Sequence, residues 1–509
     1  MRNRYIYFTL LAVLGWKAEA AAQDGSRQIP RLVVNITIDQ LRSDILETYA
    51  PLYGANGFKR LMEQGKVFEN AFYPMLETDR ASAVSTIITG TVPYYHGIIG
   101  QRWIERETLR PTLCTESLRQ NGIPSPIHLS VSTLGDELKV VTHGEARVFA
   151  IAPFRDAAIL TAGHAADGAI WLDEQTGQWK TSQYYSSQTS SPILNYSKLN
   201  EISDNIEHII WTPLGQDAKP EFKYSFKGHK QYQEYQTSAL INAHITDLAL
   251  SCAINQMMGA DLVPDLLSLT YYAGPFSHRP MTECQQEMRD TYLRLDRSLS
   301  QLITRLETSL GVGNVLFVLT STGYCDPEYA DYTSYRIPTG TFYINRAANL
   351  LNMYFGAIWG QGHYIEAWLG NQLYINHKLL EQKHVSLSDF CLRAKDFLLQ
   401  MEGVKNVFTS LQLLAGDNTL ITKIRNGFYP SHSGDILIEI APGWQLQNED
   451  TGEKSVSQAS PIPFPVIFYG TGVKPERILT PVTTDHIAPT ISRAIRIRAP
   501  NACTSEPLF

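Results

Sequence analysis

Asp39 and Arg80 are the first charged residues whose setting suits them to chemistry. Asp39 closes Leu32–Val33–Val34–Asn35–Ile36–Thr37–Ile38–Asp39, an apolar, β-branched run that reads as a buried parallel strand. Such a strand delivers its carboxylate to the C-terminal edge of a sheet, where open α/β folds place their sites. Taken alone, Asp39 reads more simply as an N-cap for the next helix. Arg80 stands in Glu77–Thr78–Asp79–Arg80–Ala81–Ser82–Ala83–Val84–Ser85–Thr86–Ile87–Ile88–Thr89–Gly90, ahead of Thr91, Pro93, His96 and Gly97. This stretch reads as a strand leading into a helix that stops on Thr89–Gly90. A guanidinium has no nucleophilic oxygen and stays protonated at any working pH, so Arg80 can hold an anion or a carboxylate but cannot form a covalent intermediate.

Other candidate ligands are sparse. Cys114, Cys252, Cys284, Cys325, Cys391 and Cys503 are widely spaced and include no Cys–x–x–Cys pair. A zinc cluster is therefore disfavoured, and in an exported chain up to three disulfides are expected, with their pairing left open. His244 keeps helical spacing with Leu240, Ile241, Ile245 and Leu248 and reads as a core histidine. A net charge of −7 without basic blocks gives no support to long-range attraction of nucleic acid or anionic membrane.

The N-terminus begins Met1–Arg2–Asn3–Arg4, continues with an apolar run over residues 5–16 and reaches Lys17–Ala18–Glu19–Ala20–Ala21–Ala22–Gln23. A basic start, a short apolar run and an Ala–x–Ala site predict a cleavable secretory signal, cut at Ala20 or Ala22, with a retained N-terminal anchor as the alternative. No cysteine follows the run directly, which argues against a lipoprotein anchor. The expected location is periplasmic or secreted, including a peripheral seat on the outer membrane, with no transmembrane span after cleavage.

The elements that must position Asp39 and Arg80 follow from the pattern. At 509 residues the chain exceeds the usual single-core limit, so one large α/β domain with an insertion, or two domains, is expected. Residues 67–72, 148–151, 266–270 and 314–320 read as sheet strands. Met288, Tyr292, Leu295, Leu299, Leu302, Ile303 and Leu306 form one stripe of a long helix over 286–310. Residues 178–236, rich in Tyr, Ser and Gln, read as excursions covering the sheet. The texture changes over 336–429, with helices near 347–357 and 386–402, and the chain is expected to re-enter the main sheet at Asp435–Ile436–Leu437–Ile438–Glu439–Ile440.

Three features recur in an order that resembles the alkaline-phosphatase superfamily, in its branch of bacterial phosphomonoesterases and nucleotide pyrophosphatase/phosphodiesterases. These are Asp39 followed by Gln40–Leu41–Arg42–Ser43–Asp44, the run through Thr89–Gly90 to His96–Gly97, and the tail Ile487–Ala488–Pro489–Thr490 with Pro500–Asn501–Ala502–Cys503. The resemblance implies an α/β fold with a mostly parallel central sheet, helices on both faces and a smaller α+β insert. It divides the chain into a signal peptide (1–22), a first core part (23–335, with a loop-rich excursion over about 175–236), the insert (336–430) and a C-terminal core part (431–509).

The resemblance also implies a two-metal site with a Ser or Thr nucleophile, and residue by residue this chain departs from it. Asp39 matches the first metal-binding Asp. The nucleophile position, nine before Thr89, holds Arg80. Gln101 and Arg102 stand near the phosphoryl-binding Asn, and Phe154 and Asp156 replace the Lys–x–Arg pair. Tyr271 and Pro275 replace an Asp–x–x–x–His pair, Thr322 and Gly323 replace the Asp–His of Ala–Asp–His–Gly, and Pro463 replaces the last His. Two cations about 4 Å apart cannot be held by one carboxylate.

What this implies is a catalytically degenerate member without a cofactor, acting as a binding or scaffold subunit alongside other cell-envelope proteins. Arg80 would pair with Asp39 and Asp156 where metals sit in relatives, sparing the buried carboxylates from lying unpaired. The alternative is a zinc-dependent phosphoric or sulfuric ester hydrolase with a rearranged site, drawing on Thr78, Ser82 or Ser85 and on His278 and Asp326. A third reading keeps a pocket for an anion or glycan contacted by Arg80, Arg102 and Arg155.

Overall fold

The computed structural model describes residues 28–116, 122–185, 202–215, 220–326, 334–456 and 462–509. The expected signal segment and, within the excursion, 186–201 and 216–219 lie outside the described residues. Ten strands build the central sheet: β1 (Leu32–Asp39), β2 (Lys66–Phe72), β3 (Val148–Ala152), β4 (Gly168–Leu172), β5 (Trp179–Thr181), β6 (Asp265–Tyr272), β7 (Val315–Ser321), β8 (Phe464–Gly470), β9 (Glu476–Ile478) and β10 (Val482–Thr483). Their order is β9-β2-β8-β7-β1-β6-β3-β4-β5, with β10 also on β2. The central five, β7-β1-β6-β3-β4, are parallel, and β8 and β5 close them antiparallel on either side. β1, β6 and β7 are buried along their whole length, as parallel strands covered by helices on both faces are.

Helices cover both faces. α1 (Arg80–Thr89), α2 (Leu134–Val141) and α3 (Arg155–Ala162) precede α4 (Leu240–Asn255), α5 (Gln285–Leu310) and α6 (Ile487–Ala494). Ile36 and Ile38 of β1 pack with α4 and α5 in one apolar layer, and Val33 packs with α1, α2 and α6 in the other. The α5 stripe read from the sequence is buried throughout. His244 accepts or donates one hydrogen bond with the Tyr235 hydroxyl at 3.0 Å, as a satisfied core histidine should. The excursion is better anchored than its weak periodicity suggests: Trp211 is fully buried, donates to Asp290 at 2.6 Å and packs against Phe222, Tyr224 and Phe276.

The insert differs from expectation at its end. Ile436–Ile440 does not rejoin the central sheet. It pairs with Gln372–Ile375 and Val404–Thr409 in a separate four-stranded sheet, and Trp444–Gln447 with Lys454–Val456 extends a second small sheet begun by Gly340–Tyr343. Their side chains complete the insert's own core of Phe342, Phe355, Tyr364 and Phe390, so burial of the insert's apolar faces decides the pairing. The chain returns to the main sheet at β8.

The expected disulfides are corrected as well. None of the six cysteines is disulfide-bonded; Cys114, Cys391 and the pair Cys252 and Cys284 are packed in three different apolar clusters, behaving as small core hydrophobes. No helix among the described residues is long and apolar enough to cross a membrane.

Candidate functional site

Three elements bring the site together. β1 ends at the central sheet's C-terminal edge with Asp39, and Gln40 then turns the chain in a left-handed conformation, φ +62°. Asp39 caps nothing: the next helix, Ser43–Thr48, has no side-chain N-cap. α1 begins at Arg80 because Asp79 and Ser82 form a reciprocal capping box, and it ends at Gly90 in the left-handed conformation that glycine adopts without cost. α1 packs on α3 through Ala81, Val84, Ala157 and Ala158, which sets the first turn of α3, with Asp156, beside Arg80.

The Arg80 side chain lies between two carboxylates. Its Nε donates to Asp156 at 3.1 and 3.2 Å and its Nη1 to Asp39 at 3.3 Å. The guanidinium lies 3.7 Å above the Phe154 ring centroid. Asp39 is fully buried, and the side chains of Arg80 and Asp156 are 11% and 13% exposed. Asp39 also accepts from the Thr322 hydroxyl at 2.9 Å and the Tyr324 hydroxyl at 3.3 Å, and Asp156 from the Gln101 amide at 3.2 Å. Burial holds the Asp39 carboxyl above its ordinary range, opposed by Arg80 and Thr322. Burial also works against the charge of Arg80, but Asp156, Tyr324 and Asp39 more than offset it. The result is a protonated guanidinium at a helix start, bonded to one carboxylate through Nε and to another through Nη1.

Residues 33–461 match the model of the type I phosphodiesterase / nucleotide pyrophosphatase family. The chain belongs to this family. It is 27% identical to the alkaline phosphatase PafA of Elizabethkingia meningoseptica over 94% of each chain. It is also 27% identical to the alkaline phosphatase PhoV of Synechococcus elongatus, over 93% of this chain and 91% of that protein. The crystal structure of wild-type PafA superposes with a TM-score of 0.81 at 25% identity, covering 95% of this chain and 99% of that one. The chain is thus a PafA-like member of the alkaline phosphatase superfamily and carries that α/β fold.

Family membership implies a metal pair, and the donor set here does not fit one. Asp39 is already occupied by a guanidinium and two hydroxyls. Thr322 sits where expected, but as a donor to Asp39 and an acceptor from the Gln40 N–H at 2.9 Å. Gly323 has no room for a side chain: at φ +70° a Cβ would meet Phe464 at 2.6 Å and the Tyr73 ring at 2.7 Å. Pro275 and Pro463 enter only through their carbonyls, which accept from the Tyr272 hydroxyl and the Ser43 N–H. Among the described residues no group of three or more His, Cys, Asp or Glu side chains is disposed to hold a metal ion.

Tyr271 needs correction. It pairs with Ile38 and points into the α4 layer, bonded to Thr246 at 2.9 Å. Its neighbour Tyr272 pairs with Asp39 instead, with its ring 6.0 Å from Phe154. One position along a strand reverses the face. Tyr272 and Tyr324 are the site residues that sequence reasoning missed. Alternation offered a signal for the first, since Ser268 and Thr270 share its face with Asn35, Thr37 and Asp39.

The remaining candidates separate. Arg102 is paired with Glu453 of the insert, and Arg155 with Glu116 at 2.6 Å, so the three arginines do not converge on one anion. A cleft of about 560 Å³ lies between core and insert, lined by Arg102, Asn371, Tyr374 and Asn448. Ser82 is held in the capping box by Asp79, and Ser85 is fully buried; neither hydroxyl faces an open reaction space. His278 and Asp326 do meet, at 2.8 Å, with His278 in a left-handed conformation, φ +54°.

Proposed function

We propose that this protein is a catalytically silent family member that works by binding, as a scaffold subunit of the cell envelope. The observation that carries the reading is Arg80 in the nucleophile's place, bridging Asp39 and Asp156. A cation built into the protein does there what exchangeable metal does in an active relative: it neutralises the carboxylates, but offers no Lewis acidity and no nucleophile. The closed position at Gly323 supports the same reading, because restoring one ligand would require neighbouring rings to move. Export to the periplasm is supported by the basic, apolar and Ala–x–Ala order of the first residues. No cofactor is required, and the partners are other envelope proteins.

The rearranged-hydrolase reading rests on His278 with Asp326, which supplies two ligands where a zinc site uses three or four. Both readings meet in one experiment: purified protein with added zinc, offered an aryl phosphate, a phosphodiester and a sulfate ester. Turnover no higher than that of Asp39→Ala is expected. Turnover lost on Asp39→Ala overturns the proposal.

A further inference from the structure

Contacts between core and insert fix the width of the cleft that separates them. The Ile104 N–H donates to the Tyr374 hydroxyl at 3.4 Å, the Asn371 amide donates to Glu77 at 2.9 Å, and Arg102 pairs with Glu453. At about 560 Å³ the cleft falls within the roughly 300–1,000 Å³ of small-ligand pockets. Arg80, Asp39 and Asp156 do not line it. Gln101 does, and its amide reaches back to hold Asp156 at 3.2 Å.

Four carboxamides line the cleft, and each is tied to protein by one end only. Gln101 Nε2 donates to Asp156 and Asn371 Nδ2 to Glu77. Gln372 Oε1 accepts from the Gly434 N–H at 2.7 Å, and Asn448 Oδ1 from the Asp450 N–H at 3.1 Å. Because the two ends of an amide differ chemically, each tie sets which end is left over. The remaining ends are two acceptors, Gln101 Oε1 and Asn371 Oδ1, and two donors, Gln372 Nε2 and Asn448 Nδ2. None of the four has a protein partner among the described residues, and none is sealed from solvent. They are held in place before any ligand arrives, which lowers the ordering cost of binding.

The lining also narrows the ligand class. Its charged side chains balance, Arg102 and Lys454 against Asp79 and Glu453. Arg102 is neutralised by Glu453, and Asp79 is committed to the N–H groups of Ser82 and Gln101 at 2.9 and 2.6 Å, so no net field selects an anion or a cation. Strand addition by a peptide needs a run of open backbone edge. The edge strands that reach the cleft do so only by Arg102, by Leu369, and by Lys454 with Ser455, whereas Gln372–Ile375 and Trp444–Gln447 are paired on both sides. Mixed donors and acceptors suit hydroxyl groups, each of which both donates and accepts, and Ile99, Leu369 and Leu446 offer apolar surface to the C–H face of a sugar ring. We propose that the cleft is a binding site for a neutral oligosaccharide, whose hydroxyls are held by the free ends of Gln101, Asn371, Gln372 and Asn448. This site is separate from the Arg80 cluster and holds whether or not that cluster is silent.

The test is isothermal titration of the full chain with linear trisaccharides of glucose, mannose and N-acetylglucosamine, alongside inorganic phosphate, a sulfated disaccharide and an acetylated, amidated tetraalanine. At least one neutral trisaccharide binds with a dissociation constant below about 1 mM, and its affinity is the same at low salt and at about 0.5 M salt. Gln372→Glu with Asn448→Asp keeps the oxygens that hold Gly434 and Asp450 and removes only the two free donors. Affinity then falls at least roughly tenfold with an unchanged thermal midpoint, whereas Asn349→Asp, on the exposed side of the insert helix Ile344–Trp359, binds as wild type. Absence of trisaccharide binding, or binding that the double variant retains in full, overturns the proposal. So does tighter binding of phosphate, the sulfated disaccharide or tetraalanine, which would assign the cleft to an anion or a peptide.

Discussion

Arg80→Ala removes the cation from between Asp39 and Asp156. Asp39 is fully buried and keeps the Thr322 and Tyr324 hydroxyls; Asp156 is 13% exposed and keeps Gln101. Removing one partner of a buried pair costs about 3–5 kcal/mol. The residual contacts, and protonation of Asp39 at about 1.4 kcal/mol per unit of upward shift, place the expected loss near the lower end, about 3 kcal/mol at pH 8. The sign with pH follows from Asp39. Its carboxyl is already held above its ordinary value by burial, and losing Arg80 moves it further up. A raised carboxyl adds stability below its unfolded value, and that stability is lost as pH rises through the folded value. The deficit of Arg80→Ala relative to wild type is therefore smallest near pH 4 and grows toward pH 8. Urea unfolding followed by tryptophan fluorescence across this range reads it directly. Arg80→Met keeps volume over Phe154 and should lose nearly as much, whereas combining it with Asp39→Asn and Asp156→Asn should recover to within about 1–2 kcal/mol of wild type. A loss below about 1 kcal/mol, the size expected of a solvated ion pair, or a pH slope parallel to wild type, would refute the reasoning.

Three further outcomes follow from other parts of the site and its surroundings. Gly323→His should destabilise by roughly 2–4 kcal/mol, from the left-handed backbone and the collision with Tyr73 and Phe464, and should bind no added zinc by isothermal titration. The hydrogen bond that the His278 ring donates to Asp326 raises that ring above its ordinary value of 6.5, so its stabilisation is complete below about pH 6.5 and disappears as pH rises through the raised value. His278→Asn should remove that component from the pH dependence of the thermal midpoint. Burial pulls His432 down to about 4; its contribution is present above pH 6.5 and is lost as pH falls toward 4. His432→Phe keeps the stack on Trp103 and should flatten that acid limb.

The central sheet was legible because its buried parallel strands are rich in apolar, β-branched residues, and α5 because its stripe repeats at helical spacing. The fate of 436–440 was not legible. An alternating β-branched pentad looks the same in either sheet, and only the packing of Phe342, Phe355 and Phe390 against it decides membership. At the site, the Asp39–Arg80–Asp156 arrangement was legible as a cation expected beside two acids. Tyr271 was misplaced by one position between two adjacent tyrosines, although Ser268 and Thr270 mark the polar face. Tyr324 reaches Asp39 only because the chain turns at Gly323, and the partners of Arg102 and Arg155 lie 351 and 39 residues away in sequence; such pairings are set by tertiary geometry that no local pattern carries.

The central claim is that protein charge stands where a metal pair would. Elemental analysis of the protein isolated from its native envelope, with zinc present throughout, tests it most directly. Well under about 0.1 zinc per chain is predicted, unchanged by Asp39→Ala. About two zinc ions per chain, lost when Asp39 is replaced, would contradict it.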